Sequence, residues 1–133
     1  MITAAHAIVY AEDAPRARAF LRDVLGFPFV DAHDGWLIFK LPPAELGVHP
    51  AAVPADPAAG APSGRHELYL MCDDISATVA GLEAEGVEFT GPVENQGFGL
   101  LVRFRVPGAG EIGLYQPRHT TAFQLEDGGG GEG

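Results

Sequence analysis

The chain has 133 residues, 47% of them hydrophobic and 20% charged, which fits one globular domain and excludes wholesale disorder or a second independent domain. Eighteen Asp and Glu against eight Lys and Arg give a formal net charge of -10, the wrong sign for binding a phosphate backbone, so nucleic acid is excluded as a partner while a cationic small molecule is compatible. The single cysteine, Cys72, rules out an internal disulfide framework and a thiolate metal cluster, and no stretch nears the roughly 18 apolar residues of a membrane span.

In chain order, the N-terminus lacks a basic leader with an apolar run, so a cytoplasmic protein is expected. An apolar run from Ala4 to Ala11 reads as a buried strand. Asp13 then caps a helix with Pro15 in its first turn, Ala17, Phe20, Leu21, Val24 and Leu25 recur at helical spacing, and Gly26 ends it. Strands are expected at Phe27–Val30, Trp36–Leu41 and Leu46–His49, separated by the turn signals Asp34-Gly35 and Pro42-Pro43. A Pro-, Ala- and Gly-rich stretch over 51–64 reads as a linker. Beyond it, Arg65–Cys72 reads as a strand with Cys72 as an inert core thiol, Asp73 or Asp74 caps a second helix ending at Gly86, and strands follow at Val87–Thr90, Leu100–Val106 and Glu111–Gln116. The last residues, 124–133, form an acidic, Gly-rich tail.

This order repeats. Shifting the sequence by 60 positions aligns His6 with His66, Asp13 with Asp73, Ala17 with Ala77, Gly26 with Gly86 and Phe29 with Phe89. The expected architecture is therefore α+β, with two tandem βαβββ modules, one over about 1–50 and one over 65–118, inside a single domain spanning 1–123. Each module has one sheet with a helix outside it. Two such modules bury their inner faces against each other as a curved mixed-sheet cup, which is a small-molecule site by geometry.

His6 and His66 hold equivalent places at a 60-residue offset, and His49 ends a strand that can lie beside the one carrying His6. Converging imidazoles suit Fe, Ni, Cu or Zn, and a carboxylate added to them gives an open, substrate-accessible site. Tyr10, Trp36, Phe39, Phe98, Arg103 and Tyr115 are candidate pocket residues, the rings for stacking and the arginine for a polar contact. His33 reads as surface, and His119 as a tail histidine. No phosphate loop, nucleophile elbow or paired-cysteine motif is present.

The residues His6 with Asp13, the string Phe20-Leu21-Arg22-Asp23-Val24-Leu25-Gly26-Phe27, His66 with Met71-Cys72-Asp73-Asp74-Ile75, Gly97-Phe98-Gly99, and Pro107-Gly108 before Ile112-Gly113-Leu114-Tyr115 resemble the vicinal oxygen chelate superfamily. That superfamily includes glyoxalase I, extradiol dioxygenases, fosfomycin resistance enzymes and bleomycin resistance proteins. The resemblance spans roughly residues 2–118. It implies a cup with a divalent metal held by residues of the first, fourth, fifth and eighth strands, in places matched here by His6, His49 and His66. The eighth-strand position, usually glutamate, falls on Gly113, with Glu111 two residues earlier on the same strand face, so the resemblance makes Glu111 the candidate fourth ligand and catalytic base. Two functions follow from the resemblance. One is a lyase, isomerase or dioxygenase dependent on Fe2+, Mn2+, Ni2+, Co2+ or Zn2+; the other is a metal-free protein that sequesters an antibiotic or metabolite. A homodimer, with each cup built across two chains, is the expected assembly.

Overall fold

The computed structural model describes residues 6–52 and 61–125. Helix α1 (Ala14–Asp23) starts where expected. The Asp13 carboxylate accepts the Arg16 N–H at 3.2 Å, and Pro15 occupies the first turn, where its missing N–H leaves no bond unmade. Gly26 follows the helix at φ +70°, a conformation that costs glycine little, and the Phe27 N–H returns to the Leu21 carbonyl.

Strands β1 (Phe29–Asp31) and β2 (Leu37–Phe39) form an antiparallel hairpin in the register Phe29 to Phe39. Its turn places Asp34 and Gly35 at φ 43° and 86°, and the Asp31 carboxylate accepts the N–H groups of His33 and Gly35. The expected strands at Ala4–Ala11 and Leu46–His49 depart from this. Over the described residues 6–11 and 46–49 the chain has no strand pairing, and Ile8, Tyr10, Leu46 and Val48 are exposed, the last two at 90%. A strand exists only where a neighbour takes its N–H and C=O groups, and the two-stranded β1–β2 sheet offers these segments none.

The second half is built as a four-stranded sheet. β3 (Tyr69–Met71) runs parallel to β6 (Glu111–Pro117), β6 antiparallel to β5 (Gly99–Arg105), and β5 antiparallel to β4 (Glu94–Asn95), giving the order β3-β6-β5-β4. The expected strand at Val87–Thr90 is reduced to a single bridge from Phe89 to Phe104, extended by the bonds Thr90 N–H to Arg103 C=O and Arg105 N–H to Glu88 C=O. Pro92, one residue past Gly91, lacks the N–H that would carry the ladder on.

Helix α2 (Ile75–Ala84) is capped by Asp74, whose carboxylate accepts the Ala77 N–H at 3.0 Å. The cap settles a choice left open by the sequence. From Asp13 to Asp74 the offset is 61, not 60, so the residue equivalent to His6 ahead of its helix is Glu67 and not His66.

Both helices cover one face of the four-stranded sheet. Ala17 and Phe20 of α1, Ile75 of α2 and Val87 pack with Val102, Phe104, Val106, Ile112 and Leu114 into one core, in which Phe104 is fully buried. Alternation along β5 sends Leu100, Val102 and Phe104 to this face. Gly99, Leu101, Arg103 and Arg105 are thereby left on the opposite, open face. On β3 and β6 the same alternation leaves Tyr69, Met71, Glu111, Gly113, Tyr115 and Pro117 there.

Candidate ligand-binding face

Strand register arranges the open face in rows. Tyr69, Gly113 and Arg103 stand side by side across three strands, and Met71, Tyr115, Leu101 and Glu94 form the next row across four. Two of these positions are open for a reason. A Cβ built on Gly113 would collide with the Tyr69 ring, and one built on Gly99 with the Tyr115 ring and the Gln116 carbonyl. Each glycine thus lets a tyrosine ring lie against the sheet, a close approach that only a residue without a side chain permits.

The rings are continuous. Tyr69 meets Tyr115 at 6.5 Å between centroids, Tyr115 meets Phe98 at 5.9 Å, and Phe98 meets the His49 imidazole at 5.9 Å, all in tilted or edge-on geometries favoured by aromatic quadrupoles. His119 stands against Tyr115 at 5.8 Å and pairs with Glu45 at 3.6 Å. The Tyr115 hydroxyl donates to the Phe98 carbonyl at 3.1 Å, which fixes the ring. Burial, and then the charge of Glu45, push its pKa above the ordinary phenol value.

At the other end of the ladder is a polar cluster. The Tyr69 phenol donates to Glu67 at 2.5 Å and accepts from Arg103 Nη2 at 2.9 Å. Arg103 lies over the Tyr69 ring, 5.3 Å from its centroid, and its guanidinium is 3.7 Å from the Glu67 carboxylate. Arg65 approaches the same carboxylate at 3.8 Å. The hydrogen bond from Tyr69 is the main reason that Glu67 is held below the usual carboxylate range, helped by Arg103 and Arg65. Burial, and then the bond to Glu67, raise the Tyr69 phenol.

The structure brings His49, Phe98, Arg103 and Tyr115 to this face. The other sequence-derived candidates stand elsewhere. His6 and Tyr10 lie in unpaired, exposed chain, with Tyr10 at 88% exposure. Trp36 sits at the hairpin turn under the Arg18 guanidinium, 4.5 Å away, and Phe39 packs edge-on against Phe29 within the hairpin. His66 is exposed and keeps the strand parity of Leu68 and Leu70, which pack into the helix-side core, whereas Glu67 keeps that of Tyr69. Glu111 is exposed at the start of β6, opposite Arg105. Sequence reading missed Tyr69 and Glu67. The available signals were the second aspartate of Asp73-Asp74, which shifts the repeat by one, and a glycine in mid-strand at 113.

A divalent metal does not fit this donor set. Among the described residues no group of three or more His, Cys, Asp and Glu side chains converges on a point. The eighth-strand position is Gly113, covered by the Tyr69 ring. Glu67, the structural counterpart of His6, already accepts the Tyr69 phenol, and the Arg103 cation beside it opposes a second positive charge. Cys72 is half-buried, and burial pushes its thiol above the ordinary value.

Residues 3–120 match the Glyoxalase/Bleomycin resistance protein/Dioxygenase superfamily, and the chain belongs to that family. It is 28% identical over 104 residues to the uncharacterized protein YetH of Bacillus subtilis (strain 168), covering 73% of this chain and 83% of that one. Among solved structures it is similar to TnmS3, an antibiotic binding protein from Streptomyces sp. CB03234, with 27% identity, a TM-score of 0.56, and coverage of 82% of this chain and 90% of that one. Lactoylglutathione lyase from Agrobacterium tumefaciens shares the fold, at 20% identity and a TM-score of 0.58 over 86% of this chain and 92% of that one. No helix among the described residues is long and apolar enough to cross a membrane.

Proposed function

We propose that this protein binds and sequesters an aromatic small molecule, an antibiotic or a metabolite, on the open face of its four-stranded sheet, without a resident metal. The observation that carries the reading is Tyr69 lying over Gly113, which replaces the usual carboxylate ligand of the family with a phenol ring. The ladder of Tyr69, Tyr115, Phe98 and His49 supplies stacking surface, and the likeness to an antibiotic binding protein at 27% identity supports the same class of ligand. The metal-dependent lyase, isomerase or dioxygenase reading, with His6, His49, His66 and Glu111 as ligands, draws no comparable support from the geometry. The likeness to lactoylglutathione lyase, at 20% identity, concerns the fold alone.

The working unit in this reading is a homodimer. The open face is one wall of a cup, and the unpaired, exposed segments carrying Ile8, Tyr10, Leu46 and Val48 are suited to form the opposite wall against a second copy. Calorimetric titration with a panel of aromatic antibiotics, bleomycin included, in excess EDTA tests the proposal. A ligand whose affinity is unchanged by EDTA is the expected result. Binding or turnover that appears only after Fe2+, Mn2+, Ni2+, Co2+ or Zn2+ is restored would overturn it.

A further inference from the structure

Among the described residues, Arg103 is the cation that lies over a ring of the open face. Its side chain is 38% exposed, so its head is partly desolvated yet reachable. Of its five N–H donors, one goes to the Tyr69 hydroxyl, and among the described residues no other acceptor takes a hydrogen bond from it. Glu67 stands at 3.7 Å, beyond hydrogen-bond reach, because its carboxylate is committed to the Tyr69 phenol at 2.5 Å. Arg65 and Arg103 flank that single carboxylate, while Arg105, in the row on the other side, pairs with Glu88 at 3.4 Å and faces, across the strands, Glu111, whose charge also reaches Arg103. The guanidinium is therefore held in orientation by Tyr69 and Glu67 with its donor fork largely unspent.

We infer that Arg103 is the polar anchor of the ligand-binding face, and that the ligand is a planar aromatic bearing an anionic oxygen group such as a carboxylate or sulfonate. The ring system stacks along Tyr69, Tyr115 and Phe98, and the oxygens take the free N–H groups of the fork. Tyr69 and Glu67 are positioning residues in this arrangement. The inference rests on the proposed ligand-binding function and adds to it a charge sign that the net charge of -10 does not suggest.

A matched pair of fluorescent probes tests it. 8-Anilino-1-naphthalenesulfonate and N-phenyl-1-naphthylamine share one aromatic frame, and only the first carries a sulfonate. Titrated against the full chain, the sulfonate probe is expected to bind at least about tenfold more tightly. Arg103→Gln is expected to abolish that difference, read as the ratio of the two probes' affinities within the variant, and Arg103→Lys to restore part of it. Equal affinities in the wild type, or a preference that survives Arg103→Gln, would overturn the anchor and leave the ligand-binding reading standing. Failure of both probes to bind would overturn both.

Discussion

At Gly113 a missing side chain has the largest consequence on the open face. Gly113→Ala is expected to destabilise the protein by about 1–3 kcal/mol, since the added methyl overlaps the Tyr69 ring in a packed sheet. Combining it with Tyr69→Ala removes the overlap, so the double variant should lose less than the two single losses together, measured by urea unfolding. Strict additivity would mean that the ring and the glycine are independent. Tyr69→Phe addresses the carboxylate. Because Glu67 has a depressed pKa in the folded state, its contribution to stability is present above the unfolded value of about 4.3 and is lost as pH falls through the lower folded value. The wild-type advantage over Tyr69→Phe is therefore expected at pH 7 and should shrink on acidification below that range, followed by melting temperature against pH. An advantage that stays constant with pH would contradict the bond.

Among the elements, the two helix caps separate what was legible from what was not. Both helices, their aspartate caps and the glycines after them follow from spacing and capping chemistry, and β5 and β6 follow from alternation around Pro107-Gly108. At the helix caps the offset is 61, because Asp73 and Asp74 are equivalent as letters and only the bond to Ala77 N–H distinguishes them, while Gly26 and Gly86 keep the offset of 60. A one-residue difference in offset separates Glu67 from His66 and places them on opposite strand faces. Apolar runs suggest strands at 4–11 and 46–49, but an apolar run specifies a strand only when a partner edge is present. Residues 1–5, 53–60 and 126–133, with parts of the expected first strand, linker and tail, lie outside the described residues. The cap assignment is open to a direct test by chemical denaturation. Asp74→Ala should cost about 1 kcal/mol, and Asp73→Ala no more than about 0.5 kcal/mol. The reverse ranking would restore the 60-residue register.

For the whole molecule, the decisive feature is asymmetry between the halves. The second half buries its helix-side face in a complete core, while the first leaves Ile8, Val9, Tyr10, Leu46 and Val48 exposed. Apolar chain segments with unpaired backbone are costly in water and prone to pair with another copy. Sedimentation equilibrium is expected to give twice the 14.0 kDa of one chain, and Val48→Asp to shift the population to monomer. A wild-type monomer at every concentration would remove the second wall from the proposed cup.

Binding at this face without a metal is decided by metal stoichiometry. Untagged protein would be incubated with Fe2+, Mn2+, Ni2+, Co2+ or Zn2+, desalted, and assayed by elemental mass spectrometry. Far less than one ion per chain is expected for every metal, because among the described residues Gly113 and the Tyr69–Glu67–Arg103 cluster leave no open ligand set. Near one ion per chain, lost in both His6→Ala and His66→Ala, would contradict it and return the protein to the metal-dependent branch of its family.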